Sequence, residues 1–129
     1  MIAAPDLFVV VDLAAIAGSG ADAVLLPKVE SADAVHRAER MLERAGAPGD
    51  LSIWCMIETA RGVLCASEIA GASKNLGALV MGTSDLAKDL RATHTPEREP
   101  MITSLGLCLL AARAHDLAIL DGVHLDLSD

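Results

Sequence analysis

Basic residues are scarce in this chain of 129 residues, in which 10 lysines and arginines face 18 aspartates and glutamates. The formal net charge is therefore −8, and the basic residues form no cluster. Nucleic acids and anionic membrane surfaces both require a positively charged footprint on the protein that binds them. The sequence thus predicts neither nucleic acid nor a membrane surface as a partner.

Long apolar runs and an apolar leader are also missing from the sequence. No stretch approaches the roughly eighteen consecutive apolar residues that a membrane-spanning helix needs. Residues 1–6 carry neither the basic region nor the apolar region of a signal peptide. From these two absences we expect a soluble, cytoplasmic protein.

Cysteine pairs and histidine motifs are absent as well. Cys55, Cys65 and Cys108 lie within apolar runs and form no Cys-x-x-Cys pair, which argues against a zinc site or a disulfide framework. We interpret the three as small buried hydrophobic residues. The four histidines show no metal-ligand spacing, and no Gly-x-Ser-x-Gly motif accompanies them.

The chain does contain enough apolar residues to fold. They make up 53% of the sequence, and the mean hydropathy is +0.44, so burial can offset the entropy lost on ordering. The length suits one domain over residues 1–129.

Short apolar runs alternate with longer amphipathic segments along the chain. The short runs predict four strands buried on both faces, at residues 21–27, 51–57, 77–81 and 117–121. The longer segments predict helices at about residues 31–46, 61–74 and 99–116, a short helix near Ser84 and a further helical segment at about 6–17. Ser31 is predicted to cap the helix at 31–46, and Gly46 with Pro48-Gly49 to end it.

Alternating strands and crossover helices predict a parallel sheet with right-handed connections. Four such units are half of a (β/α)8 TIM barrel, which typically needs about 250 residues. The predicted fold class is therefore α/β, a partial barrel, with a compact four-stranded α/β sandwich as the alternative. In a half barrel the runs at 24–26 and 117–120 would lie at or near open edges, and we expect such a chain to self-associate.

Two acidic residues mark the ends of neighbouring predicted strands. Glu58 closes the second strand and Asp85 follows the third. Carboxyl ends of parallel strands meet at one edge of a sheet, about 4.8 Å apart, so the two carboxylates could share a cation. Oxygen ligands without His or Cys suit Mg²⁺. Alternatively, Asp85 only caps a helix, and Glu58 is only a solvated polar residue at the end of a strand.

Two further features lie at the same predicted edge. Gly82, Thr83 and Ser84 form a small-residue turn into a helix, whose backbone N–H groups suit a substrate carboxylate. The alternative is an ordinary turn between a strand and a helix. Lys28, at the end of the first strand, either holds an anionic group or is a solvated charge.

Four motifs, taken in order, resemble a known family. In this order and spacing they resemble the HpcH/HpaI aldolase and citrate lyase β-subunit family, particularly its malyl-CoA lyase-like members, from about residue 6 to 129. The motifs are Leu26-Pro27-Lys28-Val29-Glu30-Ser31, Met56-Ile57-Glu58-Thr59-Ala60, Met81-Gly82-Thr83-Ser84-Asp85-Leu86 and Leu120-Asp121-Gly122-Val123.

The resemblance implies a β/α barrel that acts on a carbon–carbon bond of a β-hydroxyacyl-CoA such as malyl-CoA or citramalyl-CoA, giving an acyl-CoA and a 2-oxo acid. Glu58 and Asp85 match the family's Mg²⁺ ligands. Backbone N–H groups from Gly82 to Asp85 would hold the carboxylate of the 2-oxo acid. A homo-oligomer is expected.

The chain departs from the family pattern at both ends. The family's first three strands, an early acidic strand end and a substrate-binding arginine have no counterpart here, nor do the last strand and the C-terminal extension. The resemblance therefore covers the central-to-late half of the barrel, and the segment alone is expected to be inactive or incomplete as an enzyme. A catalytically silent half-barrel or assembly module, and a class II pyruvate-type aldolase, remain alternatives.

Overall fold

A computed structural model describes residue 13 and residues 15–123 of the chain. Its centre is a parallel sheet with the strand order β1-β2-β3-β4. This sequential order is that of a β/α barrel, whereas a doubly wound sheet reverses its order at a switch point. All four predicted strands are confirmed with ends shifted by at most two residues: β1 Ala23–Leu26, β2 Ser52–Ile57, β3 Leu76–Met81 and β4 Ala118–Leu120.

Helices connect the strands. Of the segment predicted at 6–17, residues 13 and 15–17 are helical and the others lie outside the described residues. The short helix expected near Ser84 is present. The helices are α1 Ala32–Arg44, α2 Ala60–Leu64, α3 Ala66–Ala70, α4 Thr83–Asp89 and α5 Ile102–Ala114, with a 3₁₀ turn at Glu99–Met101 before α5.

Both predicted ends of α1 are confirmed. The Ser31 hydroxyl accepts a hydrogen bond from the Ala34 N–H at 3.3 Å, which satisfies one of the free amides of the first turn. At the other end Gly46 has a φ of +78°, a left-handed conformation that glycine adopts without steric cost. The Ala47 N–H then returns to the Leu42 carbonyl at 3.0 Å, which closes the helix.

The single helix predicted at 61–74 is wrong. The chain instead forms the two five-residue helices α2 and α3, with Cys65 between them at φ −95° and ψ 5°. After α3 it turns, because the Glu39 carboxylate on α1 accepts hydrogen bonds from the Ser73 hydroxyl and the Asn75 side-chain amide. These bonds between distant residues hold a loop where local periodicity favours a helix.

One face of the sheet is buried and the other is only partly buried, because residues of the central strand β2 alternate between half-buried and buried. Helices pack on one face of the sheet, where the core includes Val24, Leu26, Ile53, Cys55, Ile57, Leu79 and Met81. On the opposite face Leu25 of β1 and Leu120 of β4 are 42% and 40% exposed. The prediction of two buried faces is therefore wrong for β1, β2 and β4. Within the described residues β1 and β4 each have a neighbour on one side only, and this position at the edges is as predicted.

The cysteines fit their predicted role with one exception. Cys55 and Cys108 are buried, and burial raises the pKa of their thiols to about 12 and about 11. Cys65 is only half-buried. All three are free thiols in the structure.

Candidate functional site at the carboxyl end of the sheet

Glu58 is a buried carboxylate at the end of β2. Its side chain is 5% exposed, and its Oε1 accepts a hydrogen bond from the backbone N–H of Lys28 at 2.8 Å. A Cβ placed on Gly82 would lie 2.5 Å from the Glu58 Cβ and 2.7 Å from its Oε2. Residue 82 must therefore be glycine for the carboxylate to occupy this position at the end of β3.

Asp85 lies in the first turn of α4, directly after β3. Its Oδ1 accepts a hydrogen bond from the Lys88 Nζ at 2.9 Å, and this bond is the largest reason that the pKa of Asp85 lies below its usual value. The positive charge of Lys28 and a side-chain interaction with Glu58 act in the same direction, against a partial desolvation that raises the pKa. The two carboxyl groups therefore lie near each other.

The strand pairing explains why they meet. Ile57 and Met81 are register partners at the ends of β2 and β3. Glu58 directly follows Ile57, and Asp85 lies shortly after Met81, in the first turn of α4. The structure thus brings Glu58 and Asp85 to the same end of adjacent parallel strands.

Lys28 reaches this edge by an unusual backbone conformation. Its φ is +49°, which costs a residue other than glycine about 1 kcal/mol or more. The conformation aims the Lys28 N–H at Glu58, while its ammonium is close enough to lower the pKa of Asp85. Lys28 therefore contributes two groups to the site, and sequence reasoning considered only the ammonium.

The turn at 82–84 differs in one respect from the expectation. The Gly82 N–H is already used, since it donates to the Ile57 carbonyl at 3.0 Å, so Gly82 does not supply a free amide. The first helical bond of α4 runs from the Leu86 N–H to the Gly82 carbonyl. The amides of Thr83, Ser84 and Asp85 precede that bond and have no partner within the helix.

Sequence reasoning missed a set of contacts beside this turn. The Arg98 guanidinium donates two hydrogen bonds to Asp121, at 2.6 and 2.7 Å, and Gly122 packs directly against the Thr83 side chain. The Asp121-Gly122 pair is part of a family-like motif, but no local pattern reveals a partner 23 residues away. Only the fold brings Arg98 to the end of β4.

The donor set fits a hard divalent cation. Over the described part of the chain, no group of three or more His, Cys, Asp or Glu side chains converges, so the candidate ligands are the two carboxylates of Glu58 and Asp85. Carboxylate oxygens suit Mg²⁺, which is commonly held by one or two carboxylates while water and substrate complete its octahedron. The residues present are thus compatible with a Mg²⁺ ion.

A partial β/α barrel with paired carboxylates at its strand ends defines the class of protein. The model of the HpcH/HpaI aldolase/citrate lyase family matches residues 4–129, and the chain belongs to this family. The predicted family and the predicted α/β barrel fragment are both confirmed, and the compact sandwich alternative is wrong.

Three relatives give the scale of the match. A (3S)-malyl-CoA thioesterase of Cereibacter sphaeroides is 50% identical over 113 residues, covering 88% of this chain and 37% of that protein. The crystal structure of RipC from Yersinia pestis has a TM-score of 0.80 and 27% identity, covering 93% of this chain and 54% of the other. The citrate lyase beta subunit of Mycobacterium tuberculosis, complexed with oxaloacetate and magnesium, has a TM-score of 0.73 and 32% identity, covering 92% and 50%.

The chain therefore spans about half of these solved chains and 37% of the malyl-CoA thioesterase. Among its described residues, no helix combines the length and the apolar character needed to cross a membrane.

Proposed function

We propose that the chain is the metal-binding part of a Mg²⁺-dependent CoA-ester lyase. Its substrate would be a β-hydroxyacyl-CoA such as malyl-CoA or citramalyl-CoA, and its products an acyl-CoA and a 2-oxo acid. The observation that carries the proposal is the placement of the buried Glu58 carboxylate beside Asp85 at the end of the central strands. The family and the magnesium complex of the M. tuberculosis relative support it.

Glu58 and Asp85 would hold the ion. A Mg²⁺ ion at this position supplies a Lewis acid, which polarises a substrate carbonyl and stabilises negative charge on its oxygen. Glu58 is fixed for this role by the Lys28 N–H and by its contact with Gly82. Asp85 must release Lys88, whose side chain is 79% exposed and can turn into solvent.

The neighbouring groups would hold the anionic parts of the substrate. The amides of Thr83 and Ser84 have no partner within α4 and suit a carboxylate, and the Lys28 ammonium provides a positive charge at the same edge. Gly82 serves by lacking a Cβ, because any side chain there would collide with Glu58.

A binding test separates this proposal from its alternatives. We expect Glu58→Gln and Asp85→Asn each to weaken Mn²⁺ binding by about tenfold or more, because each removes one of two charged ligands. Asp33→Asn is the matched control, since Asp33 is an exposed carboxylate on α1 that pairs with Arg37. Titration calorimetry measures the affinity. Wild-type binding no tighter than that of Glu58→Gln would refute the proposal.

Product analysis then identifies the reaction. Glyoxylate released from malyl-CoA indicates a lyase, and free CoA without glyoxylate indicates a thioesterase. Cleavage of a CoA-free hydroxy-keto acid indicates a pyruvate-type aldolase instead. Because the chain spans about half of its solved relatives, metal binding without turnover favours the incomplete-enzyme form of the proposal.

A second candidate function is assembly. The exposed side chains of Leu25 and Leu120 on the two edge strands favour it, since an apolar sheet face with open edges is prone to association. In this case the chain is a catalytically silent half-barrel that pairs with another copy, and it forms a homo-oligomer. Light scattering tests this: a monodisperse monomer at micromolar concentration would contradict it.

A further inference from the structure

An ion pair joins the loop after α4 to the end of β4. Arg98 donates from Nη1 and Nη2 to the two carboxylate oxygens of Asp121. This bidentate geometry fixes the orientation of the two side chains as well as the distance between them. The Arg98 backbone has a φ of +58°, a strained conformation for a residue other than glycine. Such a conformation persists where surrounding contacts enforce it, and the bond to Asp121 is a contact of this kind.

Asp121 also orders the residue that follows it. Its Oδ1 accepts a hydrogen bond from the Gly122 N–H at 2.7 Å. Gly122 in turn lies so close to Thr83 that an added Cβ would overlap the Thr83 side chain. Thr83 is the first residue of α4 and is 7% exposed, so the position of Gly122 limits where α4 can begin.

Helix α4 is thereby held at both ends. At its last residue the Asp89 Oδ2 accepts a hydrogen bond from the Ala60 N–H at 2.7 Å. At its first residue Gly122 packs on Thr83, and Gly82 just before it packs on Glu58. A seven-residue helix held at these points can shift little, and Asp85 in its first turn moves with it.

We propose that Asp121, oriented by Arg98, is a positioning residue for the carboxylate site. It holds Gly122 against Thr83 and so sets where Asp85 stands relative to Glu58. This inference rests on the proposed function for its metal-binding consequence. Its geometric part, the effect of Asp121 on the first turn of α4, stands independently of it.

The experiment compares Asp121→Asn and Arg98→Met with Arg37→Met. The control breaks an exposed ion pair on α1, between Asp33 and Arg37, remote from the site in sequence. Amide chemical shifts from ¹⁵N–¹H NMR spectra report the positions of residues 82–85. We expect both test variants to shift these amides and the control to leave them unchanged.

Metal affinity gives the second readout. Asp121→Asn is expected to weaken Mn²⁺ binding by about tenfold, the range seen when groups that orient metal ligands are removed. Arg98→Met is expected to weaken binding in the same way, and Arg98→Lys, which keeps the charge, should retain part of the affinity that Arg98→Met loses; a purely structural role would not produce this difference. Gly122→Ala should reproduce the amide shifts by pushing Thr83 away, which keeps the test open if Asp121→Asn fails to fold.

The outcomes are separable. Unchanged amides at 82–85 in folded Asp121→Asn and Gly122→Ala overturn the positioning role, even if Glu58→Gln abolishes metal binding. Shifted amides in these variants, together with a wild-type chain that binds no Mn²⁺, support the positioning role and refute the proposed function. Shifted amides with an Mn²⁺ affinity within twofold of wild type overturn the link from Asp121 to the metal site.

Discussion

The central and edge strands of the sheet differ in both burial and chemistry. Ile57 on β2 and Leu79 on β3 are fully buried, and the carboxylates of the candidate site follow these two strands. Leu25 on β1 and Leu120 on β4 are 42% and 40% exposed. The candidate metal-ligand pair thus follows the two strands that have a neighbour on each side, while each edge strand also carries an exposed leucine on the face opposite the helices.

This difference separates what the chain can do alone from what requires additional protein. A cation site needs only two neighbouring strand ends, and β2 and β3 provide both. A closed barrel needs neighbours for both β1 and β4. We therefore expect changes in the central strands to alter folding and metal binding, and changes at the edges to alter association.

The largest effect is expected from a core truncation in a central strand. Leu79→Ala should lower the free energy of unfolding by about 3 kcal/mol, because it leaves a cavity in the packed core. Leu120→Ala, on the edge strand β4, should cost less than about 1 kcal/mol, since that side chain is partly in water. Urea unfolding followed by circular dichroism measures both, and equal losses would contradict the contrast between centre and edge.

The next largest effect is expected at Gly82, which packs against the Glu58 side chain. Gly82→Ala introduces a Cβ 2.5 Å from the Glu58 Cβ, and such overpacking costs about 1–3 kcal/mol. Gly106→Ala is the control, because Gly106 lies in α5 with nothing within 4 Å of an added Cβ. That change should stabilise the helix by about 0.5–1 kcal/mol. Thermal unfolding distinguishes the two, and a stable Gly82→Ala that binds Mn²⁺ normally would contradict the described packing.

The edge strands should control association. Replacing both Leu25 and Leu120 with lysine should weaken self-association by about tenfold or more, since lysines on a sheet edge oppose pairing. Leu64→Lys is the control, because Leu64 is 80% exposed on α2, away from the sheet edges. Analytical ultracentrifugation provides the dissociation constants. Equal weakening by Leu64→Lys would place the association on the helical surface instead.

The smallest effect is the pH dependence of the ion pair at Asp121. The hydrogen bond from Arg98 is the largest cause that holds the pKa of Asp121 below its usual value. Because the pKa of Asp121 is lower in the folded than in the unfolded chain, the pair stabilises the fold at pH values above the unfolded-state pKa, which is near 4. This stabilisation is lost as the pH falls through the folded-state pKa. The pair is partly exposed, so we expect less than about 1 kcal/mol between wild type and Asp121→Asn at pH 6. Chemical denaturation at several pH values should show this gap closing below pH 4, and a gap that widens there would contradict it.

Sequence reasoning located the parts of the molecule that local patterns define. The four apolar runs became the four strands, and Ser31 and Gly46 mark the ends of α1 because capping chemistry is local. The positions of Glu58 and Asp85 at one edge follow from parallel pairing alone.

Features that depend on distant residues were not predictable in this way. The turn after α3 depends on Glu39, which accepts hydrogen bonds from Ser73 and Asn75 and lies on another helix. The use of the Gly82 N–H by β2 and the pairing of Arg98 with Asp121 also require the tertiary structure. Periodicity and motif spacing carry no information on which side chains meet across the fold.

The most direct test of the account is a crystal structure of the chain grown with Mn²⁺, which substitutes for Mg²⁺ and scatters anomalously. We predict an anomalous difference peak between Glu58 and Asp85, coordinated by one oxygen of each, with water in the remaining positions. The same crystals of Glu58→Gln should show no peak there. A wild-type structure without a peak between these carboxylates, or a peak that persists in Glu58→Gln, would contradict the central claim that this pair is the metal site.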